Sequence, residues 1–578
     1  MTAAALQIAP ARTWRLARAP LAAAAVVVGA LALRLAALGS TPTDPYYDAA
    51  VRSMGASWHG FLFGALEPGG SVAIDKPPLD LWLQVASTKL LGFGPGALLL
   101  PEALGGTIAV LLLFVLLRRT FGLAEAVAGA AALAVLPVSV LTARSDTMDS
   151  VAVALTLGAA VLAVRDGRWA LAGAGALVGL AFGVKVFQAL IPVPALMVLY
   201  LAASTVPWRE RLSRLAIAGS VATAVGLCWL AVVTLAPGRL QPWALGSKNG
   251  SAVEATFLYN GVERLSSTKP TSLRAQPAAL LAERPDAPGP TRLLGAGGSL
   301  GLRLGAELVP ALLAAAIALG LALATFLRSR PIRFGPAARR ARPEPLPPAV
   351  RLRRAAALGL GAWLFTGLVL FSAVRGLQVR YLEAFAPAVA AVLGVAVIWL
   401  ARRVRAPYWA AAVAVAALLA VPVQQSVALV EDHASDSGHI GAMPATEVAA
   451  LSRYLTAHDG GARYEVASAT AVKASALIAH DGRPVLMLDA LARQPIVPAN
   501  RLAFAVRRGE VRYLLAASGC GRGRCGPAVA WALAHGTDVT RAAGLPGRGV
   551  LFAMRPAAPV RTALRVHTRH PAAARRPS

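Results

Sequence analysis

Long apolar runs recur along most of the 578-residue chain, and they constrain its fold more than any other feature. A run of about 17 to 25 apolar residues is long enough to cross a bilayer as a helix. Hydrophobic residues make up 57% of the sequence and charged residues only 15%, which is too apolar a composition for a soluble enzyme of this length. The sequence therefore predicts a polytopic α-helical membrane protein.

Clusters of arginine between the apolar runs indicate the orientation of the chain. The net charge is +29, and much of it lies in these short clusters, which is the positive-inside pattern of membrane proteins rather than a nucleic-acid-binding surface. Keeping the clusters in the cytoplasm gives about eleven spans. Their approximate positions are 20–39, 96–117, 123–141, 150–164, 169–185, 187–203, 215–236, 303–327, 355–373, 382–401 and 408–426.

This threading divides the chain into four segments. Residues 1–19 form a cytoplasmic tail, and the first span is a retained anchor because it lacks a clear small-residue cleavage site. Residues 20–426 form the transmembrane domain, and an odd number of spans places the chain beyond the last span outside. Residues 440–555 alternate helix-like and strand-like pieces, which predicts a small extracytoplasmic α/β domain. Residues 561–578 are basic and rich in Ala and Pro, which predicts a disordered tail.

Ionisable residues gather at the predicted outer ends of the spans. They come from several separate loops and are Asp44, Asp48, Arg52, Asp75, Lys76, Arg144, Asp146, Asp149, Lys185, Arg375 and Arg380. Charged groups at membrane depth are costly, so they need partners or a function. Local explanations exist for single members, such as an ion pair of Asp48 with Arg52 on a helix or a helix N-terminus at Asp146. Such explanations do not account for the whole set.

The two prolines of the segment "DKPPLDLW", residues 75–82, determine its local conformation. Its two prolines keep Lys76 out of the following helix, so that the lysine lies in an extended segment. Pro78 is then placed to open an amphipathic helix that lies in the membrane interface. The first outer loop therefore contains an interfacial helix.

Lys185 has no acid beside it in the stretch "GLAFGVKVFQAL". Its side chain either extends to the membrane interface or binds an anion.

Two of the three cysteines, Cys520 and Cys525, lie close together in "CGRGRC" within the predicted outer domain. Outside the cell they form either a local disulfide or two free thiols, and both alternatives remain open. No acidic or histidine cluster has the spacing of metal ligands, so no metal or other cofactor is expected. Asp44, Asp75 and Asp149 nevertheless have the chemistry to converge on a divalent cation in the folded chain.

The polar stretches resemble, in order, those of the bacterial branch of the protein O-mannosyltransferase-like family, glycosyltransferase family 39 of the C-type glycosyltransferase superfamily. The resemblance covers most of residues 20–400, and residues 445–515 look like the extracytoplasmic domain of this branch. The matching stretches are "DPYYDAAVRSM", "SWHGFLFGALEPGGSVAIDKPPLDLWLQ", "LLGFGPGALLLPEALGGTIAVLLLFVLLRRTFG", "ARSDTMDS", "GLAFGVKVFQALIPVPAL", "GSKNGSAVEATFLYNGVERL" and "VRYLEAFAPAVAAVLG". "DKPPL" is the most specific single piece.

The resemblance implies inverting transfer of a hexose, with mannose as the first candidate, from a polyprenyl-monophosphate sugar to an acceptor hydroxyl at the outer face. A base takes the acceptor proton, and cations stabilise the departing lipid phosphate. The matching base is Asp44, but the family's Asp-Glu pair is replaced here by Asp-Pro, so Asp75 and Asp149 remain alternatives. The implied phosphate-binding residues are Lys76, Lys185, Arg380 and Arg144, and the implied sugar or acceptor residues are Tyr47, Tyr259, Asn260 and Tyr381.

A transporter or flippase of lipid-linked sugars or envelope polymers is the alternative, because it would use similar cations. It predicts charges in the middle of spans, whereas here they gather at the outer ends. The partners expected of the enzyme are a polyprenyl-phosphate sugar, an envelope acceptor of protein, polymer or lipid, and the bilayer of the cell membrane.

Overall fold

A computed structural model of the chain describes residues 11–165, 167–263, 288–294, 299–329, 346–375, 377–437, 440–491, 494–517, 520 and 525–554. The predicted tail at 561–578, the first ten residues of the predicted cytoplasmic tail and the basic stretch 330–345 lie outside the described residues.

Helices make up most of the chain before residue 432. In chain order they are α1 (Ala11–Leu35), α2 (Pro45–Met54), α3 (Trp58–Phe63), α4 (Leu79–Leu91), α5 (Pro95–Thr120), α6 (Leu123–Val135), α7 (Pro137–Thr142), α8 (Asp149–Ala163), α9 (Arg168–Lys185), α10 (Val193–Ala203), α11 (Trp208–Leu235), α12 (Ser299–Ser329), α13 (Pro348–Ala373), α14 (Ala386–Arg403) and α15 (Tyr408–Glu431). Short 3₁₀ turns at Val186–Leu190 and Val379–Ala384, and a π-helix at Ala255–Val262, lie between them.

Eight of these helices are long and apolar enough to cross a membrane, which agrees with a polytopic membrane protein. They are α1, α5, α9, α11, α12, α13, α14 and α15. The apolar helices α6, α8 and α10 are shorter, with 10 to 17 residues each. The total of eleven spans therefore stays a prediction.

Two of the predicted spans are interrupted in the structure. The predicted span 123–141 is divided, because Leu136 is extended and Pro137 begins a new helix. A proline inside a helix would remove one backbone hydrogen bond and clash with the preceding turn. The predicted span 187–203 is helical only from Val193, because Val186 has a φ of +46° and begins a 3₁₀ turn.

The loop between α1 and α5, which the sequence predicts to be the first outer loop, contains α2, α3 and α4. α4 begins directly after Pro78, as the sequence predicts, and α3 packs against it where the rings of Phe61 and Trp82 stack with centroids 5.2 Å apart. A two-residue parallel ladder precedes α4, in which β1 (Val72–Ala73) pairs with β2 (Trp243–Ala244). This ladder joins the first loop to the loop after α11, immediately before Asp75 and Lys76.

The chain after residue 444 folds into a five-stranded sheet with helices, here called the C-terminal unit. Its helices are α16 (Ala445–His458), α17 (Ala471–Asp481), α18 (Ala499–Arg507) and α19 (Pro527–His535), and its strands are β3 (Val466–Ser468), β4 (Val485–Met487), β5 (Tyr513–Leu515), β6 (Gly536–Asp538) and β7 (Leu551–Met554). The strand order is β4-β3-β5-β7-β6, with β3 parallel to β4 and β5, and β7 antiparallel to its neighbours. Cys520 and Cys525 form a disulfide with their Cα atoms 5.1 Å apart.

The C-terminal unit packs against the first outer loop. One continuous buried cluster contains Tyr46 and Val51 of α2 together with Leu477 and Ile478 of α17. Arg52 donates a hydrogen bond from Nε to the carbonyl oxygen of Ala479 at 2.8 Å, so it does not form the local ion pair with Asp48 that helical spacing predicts. Contacts between elements far apart in sequence override the local pattern here.

Candidate functional site

The loops at one end of the helices meet the C-terminal unit around a cavity of about 590 Å³. We call it the main cavity. Its polar wall residues come from four loops and from the C-terminal unit, and they are Tyr47, Asp75, Lys76, Lys185, Gln188, Tyr259, Asn260, Gln378, Arg380, Tyr381, Thr470, Lys473 and Asp489. Loops that are far apart in sequence therefore meet at one site.

Lys76 lies in the wall of this cavity between an acid and a phenol. Its Nζ is 3.7 Å from Asp75 Oδ1 and donates a hydrogen bond to Tyr47 Oη at 2.9 Å. The two prolines after Lys76 keep it outside α4, and Asn260 donates from Nδ2 to the backbone oxygen of Asp75 at 2.6 Å. Burial, with the nearby Asp75 carboxylate, raises the pKa of the Tyr47 phenol, so Tyr47 stays a neutral hydrogen-bonding group.

Lys185 ends α9 and reaches the start of α8. Its Nζ is 2.9 Å from Asp149 Oδ2, and it also donates to the backbone oxygen of Thr147. Gln188 Nε2 donates to the other carboxylate oxygen of Asp149 at 2.7 Å. Asp149 is 1% exposed, and its two oxygens accept these bonds, which fixes the lysine at the cavity.

Arg380 stands in the 3₁₀ turn before α14. Its Nη1 donates to Asp436 Oδ2 at 3.0 Å, and Asp436 belongs to the segment that links α15 to the C-terminal unit. The guanidinium carbon lies 5.9 Å from the ring centroid of Tyr381, which also lines the cavity. Lys76, Lys185 and Arg380 thus come from three loops to one cavity, and each has a carboxylate beside it.

Tyr259 and Asn260 lie in the π-helix that forms another part of the wall. Tyr259 is buried against Gly246, whose φ is +88° and whose missing Cβ would lie 2.6 Å from Cδ1 of the tyrosine ring. A side chain at position 246 would therefore move the ring, and the positive φ also favours glycine there.

Two predicted site residues, Arg144 and Asp44, are not among the described residues that line this cavity or the second cavity introduced below. The Arg144 guanidinium donates to backbone oxygens at the end of α1, including that of Ala36 at 2.6 Å, and to Thr41 Oγ1 at 2.9 Å. In this structure the guanidinium therefore satisfies carbonyl groups at a helix terminus, and its contact with phosphate stays a prediction.

Asp44 precedes α2 but does not cap it with its side chain. Its Oδ1 instead accepts a hydrogen bond at 3.0 Å from the backbone nitrogen of Ile440, in the linker to the C-terminal unit, and its own nitrogen donates to Asp146 Oδ2 at 2.9 Å. Ser437 of the same linker donates to Asp146 Oδ1 at 2.5 Å. Asp44 and Asp146 therefore hold the linker against the outer loops.

Three buried carboxyl groups, those of Asp44, Asp48 and Asp146, lie close together behind the main cavity. Burial, opposed by a hydrogen bond from Thr43 and reinforced by Asp44, raises the pKa of Asp48 to about 7. Burial and the charges of Asp44 and Asp48 likewise raise the pKa of Asp146. Burial and neighbouring like charges therefore favour the protonated forms of Asp48 and Asp146 relative to exposed aspartates.

A second cavity, of about 360 Å³, also borders the "DKPPL" segment. Its wall includes Trp229 of α11, Trp243 of β2 and the polar side chains of Asn249 and Thr256. Asp75 and Lys76 line both cavities. Groups bound in either cavity would therefore lie near these two residues.

Several wall residues were not predicted from the sequence. Gln188 follows Lys185 by three positions and was within a recognised stretch, so its spacing was a usable signal. The wall residues Thr470, Lys473 and Asp489, and Asp436 beside Arg380, carry no local pattern that separates them from ordinary surface residues. Their place becomes visible only when the C-terminal unit is folded against the loops.

Among the described residues, no group of three or more His, Cys, Asp or Glu side chains is arranged to hold a metal ion. Asp44, Asp75 and Asp149 are thus not gathered into such a group. The absence of a cofactor from the reaction stays a prediction.

Two family models match the chain. The model for dolichyl-phosphate-mannose-protein mannosyltransferase matches residues 75–233, which include "DKPPL", Asp149 and Lys185. A model described as "Putative mannosyltransferase YkcB-like, C-terminal" matches residues 451–535, within the C-terminal unit.

Two curated relatives come from Bacillus subtilis (strain 168). "Putative mannosyltransferase YycA" is 37% identical over 227 residues, which cover 38% of this chain and 33% of the relative. "Putative mannosyltransferase YkcB" is 35% identical over 227 residues, covering 38% of this chain and 32% of the relative. The matched segment thus spans about a third of each relative's length.

Solved structures share the fold over most of the chain. The crystal structure of ArnT from Cupriavidus metallidurans bound to undecaprenyl phosphate covers 94% of this chain and 98% of its own, with a TM-score of 0.53 and 18% identity. The archaeal oligosaccharyltransferase AglB from Archaeoglobus fulgidus, in complex with an inhibitory peptide and a dolichol-phosphate, covers 87% of this chain and 70% of its own, with a TM-score of 0.52 and 12% identity. At these identities the likeness concerns the fold alone. The two family models and the two relatives agree with the resemblance of the sequence motifs, and over residues 75–233 the chain is similar to the dolichyl-phosphate-mannose-protein mannosyltransferase family.

Proposed function

We propose that the chain is a membrane glycosyltransferase that transfers a sugar from a polyprenyl monophosphate to an acceptor hydroxyl. The observation that carries this proposal is the arrival of Lys76, Lys185 and Arg380 from three loops at one cavity. Apolar residues from the end of α13 and from the turn after α9, such as Phe187 and Leu370, line the same cavity. A cationic site beside an apolar wall suits a lipid phosphate.

The family description and the names of the relatives support transfer of a sugar. The ArnT structure is bound to undecaprenyl phosphate and the AglB structure is in complex with a dolichol-phosphate, so similar folds accept lipid phosphates. The two relatives are named as mannosyltransferases, which supports mannose as the first sugar to test. Neither the relatives nor the solved structures named above support the transporter alternative.

The proposed reaction is a single displacement at the anomeric carbon. A carboxylate accepts the proton of the acceptor hydroxyl, and the hydroxyl oxygen attacks from the face opposite the phosphate, which inverts the configuration. The bond from the anomeric carbon to the phosphate oxygen breaks, and its electron pair leaves with the polyprenyl phosphate. Lys76, Lys185 and Arg380 stabilise this leaving group, and Arg380 can offer two parallel donors to phosphate oxygens.

Among the three candidate bases, the geometry favours Asp75. It lines both cavities, so a donor in the main cavity and an acceptor hydroxyl in the second cavity would both reach it. Asp149 and Asp44 are not among the described residues that line either cavity; the carboxylate of Asp149 accepts from Lys185 and Gln188, and that of Asp44 accepts from the linker backbone. The Asp75 position is therefore the one at which proton transfer and sugar transfer coincide.

The proposal also assigns the main cavity to one side of the membrane. The C-terminal unit and the linker before it contact the same loops that carry Asp75, Asp149 and Arg380, so all of them lie at one end of the helices. The arginine clusters at the other ends favour the cytoplasm for those ends. We therefore assign the cavity to the outer face of the cell membrane, with an envelope protein, polymer or lipid as the acceptor.

The test is release of free polyprenyl phosphate by the purified full chain in lipid nanodiscs. The substrates are radiolabelled polyprenyl-phosphate mannose and an envelope extract, with the glucose donor run in parallel. We expect release that depends on the extract. Arg380→Gln should lower the rate of release about 100-fold or more, because removing one hydrogen-bond donor to a transition-state oxyanion has an effect of that size. Arg375→Gln, an exposed arginine of the same loop outside the cavity wall, is the matched control. Movement of the intact donor across the bilayer without release would support the transporter instead.

A further inference from the structure

The C-terminal unit forms one wall of the main cavity. Thr470 and Lys473 of its α17 region and Asp489 after β4 line the cavity together with the transmembrane residues. Cys525 of the disulfide also lies in this wall. The unit is therefore part of the site and not a separate module beside it.

The wall combines polar and apolar residues from different elements. Its apolar residues include Phe187 in the turn after α9 and Leu370 in α13, whereas the cations Lys76 and Arg380 come from the loops. The C-terminal unit adds the polar residues Thr470, Lys473 and Asp489 to the same wall, beside apolar residues such as Val472 and Leu491. A lipid-linked sugar is linear, with its chain, phosphate and sugar in that order. When the phosphate meets the cations and the chain extends along the apolar residues, the polar residues of the C-terminal unit are available to the sugar.

The side chains of this wall suit sugar hydroxyl groups, which both donate and accept hydrogen bonds. Lys473 supplies an ammonium donor, and Asp489 supplies a carboxylate acceptor. Asp489 is 2% exposed, and its Oδ2 accepts a hydrogen bond from the backbone nitrogen of Gly526 at 3.0 Å. Any Cβ at position 526 would lie 2.2 Å from Asp489 Oδ1, so only glycine allows this approach.

The wall is also held in a fixed position relative to the cations. The Thr470 side chain accepts a hydrogen bond from the backbone nitrogen of Lys473, which starts α17 at the cavity. The same helix packs on α2, next to Tyr47. The linker bonds of Ile440 to Asp44 and of Ser437 to Asp146 fasten the other end of the unit. A fixed wall can discriminate between sugars, because preorganised polar groups do not adjust to a wrong hydroxyl pattern.

We propose that the C-terminal unit binds the sugar of the lipid-linked donor, with Lys473 and Asp489 as its sugar-contacting residues. This inference rests on the proposed function, because it assumes that the main cavity holds a polyprenyl-phosphate sugar. It gives the C-terminal unit the role of selecting the donor.

The test compares two ligands that differ only in the sugar. Binding of polyprenyl phosphate and of polyprenyl-phosphate mannose to the full chain in nanodiscs is measured for the wild type, Lys473→Met and Asp489→Asn. We expect each variant to bind the mannose-bearing lipid about tenfold more weakly, as for loss of a hydrogen bond to a charged group. Affinity for polyprenyl phosphate itself should stay within about twofold of the wild type, which also shows that the variants are folded. Arg501→Met, on the exposed side of α18, is the matched control and should change neither affinity.

The outcomes separate this inference from the proposed function. If the wild type binds neither lipid, the proposed function fails. If the wild type binds both lipids and the two variants weaken neither, or weaken both equally, the C-terminal unit does not contact the sugar and the inference is overturned. Variants that bind the mannose-bearing lipid normally but need more acceptor for half-maximal release would assign the wall to the acceptor, which also overturns it.

Discussion

The three cations of the main cavity are each accompanied by a carboxylate. Lys76 is beside Asp75 in sequence, whereas Lys185 meets Asp149 and Arg380 meets Asp436 from other segments. A buried charge without a partner costs several kcal/mol, so these pairs allow a cationic site to exist before any phosphate arrives. A bound phosphodiester would then share the donors of the lysines and the arginine with the carboxylates.

The position of Asp75 between the two cavities leads to the first prediction. Asp75→Asn keeps the size of the side chain but removes the proton acceptor, so turnover should fall by about 100-fold or more, with donor affinity nearly unchanged. Asp44→Asn can still accept the Ile440 hydrogen bond and should lose much less. The measurement is polyprenyl phosphate release at saturating donor. A large loss in Asp44→Asn with normal Asp75→Asn would return the base to Asp44, and a large loss confined to Asp149→Asn would assign it there.

The buried Asp48 leads to a prediction about pH. Burial, with the nearby Asp44, raises its pKa in the folded chain to about 7 from the ordinary value of 3.8. Between these two pKa values the folded state holds a proton on Asp48 that the unfolded state has lost. The free energy of unfolding therefore decreases as the pH rises from 3.8 to about 7. Asp48→Asn cannot lose this proton, and its apparent melting temperature in detergent should fall less than that of the wild type between pH 5 and 8. Asp432→Asn, an exposed acid after α15, should keep the wild-type dependence. Parallel curves for Asp48→Asn and the wild type would contradict the assignment.

At the scale of elements, the linker between α15 and the C-terminal unit determines how the site is closed. Its backbone and side chains bond to Asp44, Ser145 and Asp146, which belong to two separate outer loops. α17 then packs against α2 over a shared apolar cluster. The position of the cavity wall therefore depends on the linker as well as on the unit itself.

Ser437 tests this dependence. Its hydroxyl donates to Asp146 Oδ1 and accepts from the Asp146 nitrogen, and both residues are buried. Ser437→Ala leaves these groups without that partner and should cost about 1–3 kcal/mol of stability. Thr446→Ala, at an exposed position of α16, is the control. Melting of both variants in detergent is the measurement, and equal midpoints would mean that the linker bonds do not support the site.

The elements also show how far sequence reasoning extends. Long apolar runs predicted α5, α9, α13 and α15 closely, because bilayer crossing requires length and apolarity that are visible locally. The break at Pro137 was missed, since the apolar run continues through it. Convergence of Lys76, Lys185 and Arg380 was predictable from their common place at span ends. The contacts of Arg144 and Arg52, and the presence of Lys473 in the cavity, depend on tertiary packing and left no local signal.

At the scale of the whole molecule, the helices and the C-terminal unit together enclose the candidate site. The unit and the polar loops lie at one end of the helices, and Arg402 and Arg403 lie at the end of α14 that is remote from the loop carrying Arg380. Because the site residues lie at this one end, the orientation of the protein in the membrane determines which side of the membrane all of them face. We expect the site outside, because the arginine-rich ends favour the cytoplasm.

Cysteine labelling in intact cells tests this orientation. Arg463→Cys places an exposed thiol in the C-terminal unit, and Arg403→Cys places one at the other end of the helices. The background carries Cys228→Ser, because Cys228 is the exposed free cysteine of the described residues and the other two form the disulfide. A membrane-impermeant thiol reagent should label position 463 in intact cells and position 403 only after lysis. The reverse pattern would place the site in the cytoplasm.

The most direct test of the central claim is an experimental structure of the chain with polyprenyl phosphate bound. The account predicts the phosphate within hydrogen-bond distance of Lys76, Lys185 and Arg380, with the lipid chain along Phe187 and Leu370. A second apolar space, the groove of about 850 Å³ between α6, α14 and α15, ends at Arg402 and Arg405. A phosphate found at that groove, with the main cavity empty, would contradict the account.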